Sequence, residues 1–329
     1  MKKIAINGMG RIGRASLKLI LETEDLTLVA VNDILPIENL AYLLKYDSTY
    51  GKFGKEVSVV DNALHVDGKM IPYFSERNPE NLPWKTLDVD VVIESTGIFT
   101  QLEDANKHIK AGAKTVVISA PTKSENVPTV VHGVNTPHGQ TSVFSCASCT
   151  TNNISPIVEI LGRTVGIHKA IMTTIHAYTA SQSLMDSASP KNLRMGRAAA
   201  DNLVPTSTGA AIATTKALPE FMGKFDGVAV RVPVKVGSIS DMTFVTKKEV
   251  TAEEINEILE QEALSERYIE VLSTTREALV SSDIVGSPYA SIVDLNMTRV
   301  VDGDLLKIMA WYDNEWGFTN QMIRLIKGL

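Results

Sequence analysis

Lys3-Ile4-Ala5-Ile6-Asn7-Gly8-Met9-Gly10-Arg11-Ile12-Gly13 decides how the first half of the chain is read. Residues 3–7 form a short β-rich run, and three glycines follow at spacings of two and three. Leu17, Ile20 and Leu21 then recur at helical spacing, which predicts a helix over 12–21. Glycines at such a junction allow a tight turn and let backbone N–H groups approach a pyrophosphate at the helix start. Asp33 ends the next strand-like run, 20 residues beyond Gly13, where a carboxylate can accept from ribose hydroxyls. A glycine triplet alone also suits a turn that needs glycine for backbone reasons. The strand before it, the helix after it and the acid at this distance make it a dinucleotide site.

Outward from that stretch, β-rich runs at 26–31, 89–94, 114–119 and 142–145 alternate with helical patterns such as 102–111. Repeated βαβ units predict a doubly wound, Rossmann-type parallel sheet. Residues 57–72 differ: turn signals at Asp61-Asn62 and Asp67-Gly68 predict an antiparallel excursion. After residue 149 the texture changes. Alternating runs at 169–177, 228–236, 239–246 and 305–312 predict an α+β domain with a large, mostly antiparallel sheet. A final helix is expected over 315–329, and the stretch between Tyr178 and Pro205 reads as an ordered, packed loop. The expected division is 1–148 for dinucleotide binding, 149–313 for catalysis, and 314–329 as a helix returning to the first domain.

A chain of 329 residues supports two cores of this kind. Its 44% apolar and 21% charged residues fit a globular protein, and no apolar stretch reaches the ~18 residues of a membrane span. Net charge is −6 with acids and bases interspersed, which excludes the footprint of a nucleic-acid or membrane binder. The N-terminus passes from two lysines straight into a strand pattern, so a cytoplasmic location is expected. Cys146 and Cys149 are the only cysteines, which excludes a disulfide scaffold and cannot complete a zinc site. No metal is expected.

Ser145-Cys146-Ala147-Ser148-Cys149-Thr150-Thr151-Asn152 places a thiol at the start of a predicted helix. Unpaired N–H groups and the positive dipole end there favour a thiolate and can hold an oxyanion or phosphate. Cys149 is therefore the candidate nucleophile. His176 is its candidate partner, since residues 172, 174, 176 and 178 share one face of a predicted strand and a thiol nucleophile requires a base or an imidazolium. The other five, His65, His108, His132, His138 and His168, sit in turn-like or helix-flanking contexts and read as surface residues. Thr179, Ser181, Thr206, Ser207, Thr208 and Gly209, with Arg194, Arg197 and Arg231, supply donors suited to phosphate. Arg231 interrupts an apolar strand, so its charge needs a partner.

These motifs resemble the phosphorylating glyceraldehyde-3-phosphate dehydrogenases over essentially the whole chain. Residues 5–14 and 147–152 look like the family's cofactor and active-site signatures, and Ser207-Thr208-Gly209-Ala210-Ala211, Arg231-Val232-Pro233 and Trp311-Tyr312-Asp313-Asn314-Glu315-Trp316-Gly317 follow in order. The resemblance implies that Cys149 attacks the aldehyde, that His176 activates the thiol and acts as base, and that inorganic phosphate cleaves the resulting thioester. It implies inorganic-phosphate contacts by Ser148, Thr150, Thr208 and Gly209, and substrate-phosphate contacts by Thr179, Ser181, Arg231 and Arg194. Gly8, Gly10, Arg11, Ile12, Gly13, Asp33, Arg77, Thr96, Ser119 and Asn314 match cofactor positions, Asn314 holding the nicotinamide amide. A homotetramer, with the long loop near a neighbour's cofactor, and a place in glycolysis are implied too.

Several positions depart from the family. Cys146 stands where asparagine is usual, Asn153 replaces a frequent second cysteine, and Phe318 replaces tyrosine. Ser187 and Ala188 resemble members that accept NADP, whereas the Asp33 carboxylate repels a 2′-phosphate, so NAD is expected with NADP as the alternative. Competing readings are an erythrose-4-phosphate dehydrogenase, arsenate as acyl acceptor, and a thiol redox sensor in which Cys146 resolves an oxidised Cys149.

Overall fold

The computed structural model describes residues 1–136, 141–189 and 192–329, so His138 lies outside the described residues. Two compact units emerge: Met1–Val130 with Thr136–Ala147 and Met322–Leu329, and Val131–Asn135 with Ser148–Gln321.

In the first unit, β1 (Lys2–Asn7), α1 (Arg11–Glu22) and β2 (Leu26–Asn32) form the opening βαβ element. Then follow α2 (Ile37–Lys45), the small β3 (Tyr46–Asp47) and β4 (Gly51–Lys52) pair, and β5 (Val57–Val60), β6 (Ala63–Val66) and β7 (Lys69–Phe74). The unit continues with β8 (Val91–Glu94), α3 (Leu102–Lys110), β9 (Thr115–Ile118) and β10 (Val143–Ser145). The sheet order is β10-β9-β8-β1-β2-β7-β6-β5. β1 pairs in parallel with both β2 and β8, so the chain changes direction across the sheet there, and the crevice at the strands' C-terminal ends is where such folds bind ligands. Ile4, Ala5, Ile6, Val92 and Ile93 are fully buried, as expected of parallel strands covered on both faces. Asp61 and Asn62 (φ 50° and 57°) turn β5 into β6, the positive-φ pair a two-residue hairpin demands.

The second unit begins with α4 (Cys149–Thr164) and β11 (Ile167–Ala177), followed by β12 (Val204–Ser207), α5 (Ala210–Ala217) and β13 (Phe225–Val232). Next come β14 (Ser238–Thr246), α6 (Ala252–Ala263), β15 (Leu272–Thr275), β16 (Ser291–Asp294), β17 (Arg299–Val301) and β18 (Leu305–Tyr312). α7 (Trp316–Gly328) divides between the units. The sheet order is β12-β13-β11-β14-β18-β16-β15, with β17 on β18; the β11–β13 and β15–β16 pairs are parallel, the rest antiparallel. α4 packs on this sheet through Ile154, Ile157, Val158, Ile160 and Leu161.

Two expectations are corrected. The run at 228–236 stops as a strand at Val232, because Pro233 has no N–H and Val234 N instead closes on Val232 O at 2.8 Å. His108 is not a surface residue. It is fully buried on the inner side of α3 between Trp84 and Glu94. His65 and His132 are half-buried and His168 is exposed.

Gly13 shows how tightly the first turn is packed: a Cβ there would lie 2.0 Å from Gly8 O. Gly13→Ala should cost about 1–3 kcal/mol in denaturant unfolding. Gly54→Ala, with nothing within 4 Å of the added carbon, should stay within about 0.5 kcal/mol of wild type.

Candidate active site

At the C-terminal ends of β1, β2 and β8 lies a cavity of about 480 Å³, with Gly8, Gly10, Asp33, Arg77 and Thr96 in its wall. Sequence reading missed its other lining residues, among them Asn7, Asn32, Arg14 and Phe99. Gly10 has open space where a Cβ would project, whereas Gly8 (φ 94°) packs on Thr96 so closely that a Cβ would meet Thr96 N at 2.6 Å. One glycine thus leaves room for a ligand and the other for the fold. Asp33 Oδ2 accepts from Met9 N at 2.6 Å and Oδ1 from Leu35 N at 3.0 Å, which fixes the carboxylate against the glycine turn. Arg11 pairs with Asp47 at 2.7 Å and stacks over Tyr50, so its side chain is directed away from the turn's backbone donors. Ile12 and Gly13 form the first turn of α1, and Ser119 donates its N–H to Glu94 O; none of these three lines the cavity. The volume, the open Gly10 and the backbone donors of a helix start fit a dinucleotide.

Cys149 opens α4. Ser148 is its N-cap, the hydroxyl accepting from Thr151 N at 3.1 Å, and Asn152 Nδ2 holds Ser148 O at 2.9 Å. Immediately before the cap, Ala147 adopts φ 61°, a left-handed conformation that costs an alanine about 1–2 kcal/mol. Cys149 Sγ lies 3.4 Å from His176 Nε2. His176 Nδ1 is 2.6 Å from Ala177 O and 2.5 Å from Arg231 Nη1, which also donates to Ala177 O at 3.2 Å. Strand register explains this meeting: His176 pairs with Arg231 in the parallel β11–β13 ladder, so both side chains leave the same face. Arg231 thus donates to the Ala177 carbonyl and lies beside the imidazole, whose Nδ1 can accept its N–H only in the tautomer protonated at Nε2.

Burial, with the Arg231 guanidinium second, pushes the His176 imidazolium down to about 3. Burial also raises the Cys149 thiol, opposed by Arg231 and by hydrogen bonds with Thr150. Both shifts favour a neutral thiol beside a neutral imidazole. A histidine that takes the thiol proton at Nε2 must carry its own at Nδ1, and Ala177 O is placed to accept it. The geometry places an imidazole nitrogen where it can accept the thiol proton.

Other candidate residues divide. Thr150 is buried, and its hydroxyl meets Tyr312 Oη at 2.9 Å, which in turn meets Thr174 Oγ1 at 2.8 Å. The Thr150 hydroxyl is therefore committed to the interior, and the Tyr312 ring lies edge-to-face with His176 at 5.9 Å. Sequence reading had placed Thr174 on the His176 face but had given Tyr312 no role. Thr179 and Ser181 bond each other at 2.8 Å on the exposed loop, and Thr208 Oγ1 accepts from Ala210 N beside Gly209, the N-cap of α5. Arg194 is exposed and donates to Pro205 O at 3.3 Å, while Arg197 pairs with Asp186. Asn314 Oδ1 accepts from Gly237 N and Ser238 Oγ, which leaves Nδ2 as its outward donor. Cys146 is buried and donates to Ile118 O at 3.2 Å, and burial pushes its thiol up to about 12.

A glycine-rich βαβ cavity and a cysteine–histidine pair at a helix start define a thiol-dependent dinucleotide oxidoreductase. Residues 2–102 match the profile described as "Glyceraldehyde 3-phosphate dehydrogenase, NAD binding domain", and residues 148–314 match the corresponding C-terminal domain. The chain belongs to the glyceraldehyde 3-phosphate dehydrogenase family. It is 47% identical over 327 residues to a glyceraldehyde-3-phosphate dehydrogenase of Streptomyces coelicolor, covering 98% of this chain and 97% of that protein. Identity is 46% to that of Clostridium pasteurianum (99% and 98% covered) and 45% to that of Zymomonas mobilis (98% and 96% covered).

A neutral buried His176 makes stability depend on pH. Its folded-state value lies below the unfolded 6.5, so the unfolded chain binds the extra proton, and stability falls as pH drops from 6.5 toward 3. The slope attributable to this residue is at most about 1.4 kcal/mol per pH unit. Denaturant unfolding at pH 7 and pH 5 should show wild type losing more stability than His176→Gln; equal losses would contradict a neutral imidazole.

Proposed function

We propose that this protein oxidises glyceraldehyde 3-phosphate with NAD and phosphorylates the product to 1,3-bisphosphoglycerate. The observation that carries the reading is the 3.4 Å contact between Cys149 Sγ and His176 Nε2 at the start of α4. His176 takes the thiol proton as sulfur adds to the aldehyde carbon, and the Cys149 N–H, one of the helix's unpaired donors, faces the developing oxyanion. Imidazolium formed in that step returns its proton to the oxyanion, and the neutral ring then removes it again as the thiohemiacetal is oxidised. NAD supplies the acceptor for the hydride. The acyl group remains on Cys149 as a thioester until phosphate attacks its carbonyl and the sulfur leaves as thiolate, giving an acyl phosphate.

In this reading Gly8, Gly10 and the first turn of α1 hold the pyrophosphate, Asp33 the adenosine ribose, and Arg77 and Thr96 flank them. Ser119 and Asn314 belong to the nicotinamide end. Arg231, Thr179 and Ser181 receive the substrate phosphate, with Arg194 at the loop's edge, while Ser148, Thr208 and Gly209 receive the attacking phosphate. Thr150 contributes through its backbone and through Tyr312. The pinned Asp33 carboxylate supports NAD over NADP. Leu184 and Met185, each 75% exposed, and Leu193 at 85% on the long loop support assembly of several subunits, and a homotetramer is proposed. No helix among the described residues is long and apolar enough to cross a membrane; the proposed location is the cytoplasm.

The test supplies purified protein with glyceraldehyde 3-phosphate or erythrose 4-phosphate, NAD or NADP, and phosphate, arsenate or neither. Steady NADH formation should need the triose phosphate, NAD and phosphate, with kcat/KM at least about ten-fold higher for NAD than for NADP, a difference of about 1.4 kcal/mol. Without phosphate, acylation should stop near one equivalent per chain, and Cys149→Ser should give none. Absence of NADH and of an acylated chain with either sugar would refute the reading. Turnover on erythrose 4-phosphate or arsenate alone would redirect it.

His176→Asn keeps a polar side chain but cannot reach Sγ. It should slow alkylation of Cys149 by iodoacetamide at pH 7 by about 10²-fold, the scale of one general base. An unchanged rate would separate the imidazole from the thiol.

A further inference from the structure

Next to the dinucleotide cavity runs a buried chain of polar side chains that no step above uses. Glu94 ends β8 at 1% exposure, and its carboxylate meets four donors. Oε1 accepts from Thr96 N at 2.8 Å and from the Thr96 hydroxyl; Oε2 accepts from Asn7 Nδ2 at 2.6 Å and faces His108 Nε2 at 3.0 Å. On the far side of that ring, Trp84 Nε1 lies 2.9 Å from His108 Nδ1. An indole N–H only donates, so Nδ1 accepts and the ring proton sits on Nε2, where it donates to Glu94. Trp84 therefore selects the tautomer that the carboxylate requires. Asn7 Oδ1 accepts from Asn32 Nδ2 at 2.7 Å, and Asn32 exchanges two further bonds with the backbone of Glu76.

These bonds lock together the C-terminal ends of β8, β1 and β2. Asn7, Asn32 and Thr96 are in the cavity wall, and Gly8 packs directly on the Thr96 backbone. Moving Thr96 therefore moves the glycine turn. Glu94 and His108 are absent from the wall. An apolar pair would fill the same space without the cost of desolvating a carboxylate, so the arrangement earns its place through geometry.

We propose that Glu94 and His108 are positioning residues for the dinucleotide. They hold Thr96 and Asn7, and through them Gly8, in the arrangement that binds the cofactor. The inference rests on NAD being the ligand of this cavity. It assigns the buried histidine to cofactor affinity and leaves the thiol chemistry to His176.

Calorimetric titration of NAD into the full-length protein tests it, with wild type, Glu94→Gln, His108→Asn and His108→Gln. The isosteric Glu94→Gln points an amide N–H at donors. His108→Asn can reach only toward Trp84, whereas His108→Gln extends an N–H to where Nε2–H stood. Glu94→Gln and His108→Asn should raise Kd for NAD, and its KM, about ten-fold or more, with His108→Gln restoring it to within about three-fold of wild type. A purely space-filling histidine would be rescued equally by His108→Met, which has glutamine's length but no N–H, so that variant is titrated beside the others and should stay as weak as His108→Asn. Equal NAD affinity in Glu94→Gln and wild type overturns the proposal, as does His108→Gln binding as weakly as His108→Asn. If His108→Asn does not fold, Glu94→Gln against His108→Gln carries the comparison. Failure of wild type to bind NAD would instead refute the function on which the inference rests.

Discussion

The contact between Cys149 Sγ and His176 Nε2 is the constraint around which the second unit is arranged. Sulfur is placed by the first turn of a helix and the imidazole by the end of a long strand, so neither depends on a flexible loop. The helix start also explains why the preceding backbone is strained. Ala147 takes a left-handed conformation in the short passage between β10 and the Ser148 cap, and the cost is spread over a cap, an Asn152 bond and the packed inner face of α4. A thiol on a relaxed loop would be cheaper to build and poorly aimed.

Burial around the pair has two consequences that pull against each other. It keeps the imidazole unprotonated, as a base must be, and it holds the thiol neutral, which a nucleophile must not be. Arg231 moderates this conflict, since its positive charge favours thiolate while disfavouring imidazolium. At rest both groups are therefore held neutral. A resting thiol of this kind is also less exposed to oxidation than a standing thiolate, and Cys146 is buried with its own thiol donating to Ile118 O.

Most of the fold was legible because it is written in local periodicity. The glycine turn, the hairpin at Asp61-Asn62 and the strand at 305–312 need only near neighbours to be recognised. The site was legible where one residue type forces an inference, as with a cysteine at a helix start or a charge inside an apolar strand. What escaped depends on which face of an element turns inward. His108 sits among Lys107, Lys110 and other polar neighbours, so its sequence context reads as exposed, yet α3 turns it into the core. The bond between the Thr150 hydroxyl and Tyr312 Oη, 162 positions away, was not legible at all. No spacing rule connects residues that far apart.

Register is what makes Arg231 useful. Because His176 and Arg231 are partners across parallel strands, a slip of one residue in the β11–β13 ladder would send the guanidinium to the opposite face. That register is held on the other side of β13 by β12, where Val204 opposes Arg231, and on the other side of β11 by the long antiparallel β14, which itself pairs with β18. Arg231 Nη1 donates to Ala177 O, while Nε is buried and finds no hydrogen-bond partner among the described residues. Held in this register, the guanidinium lowers the imidazole's affinity for a proton and opposes the burial that raises the thiol.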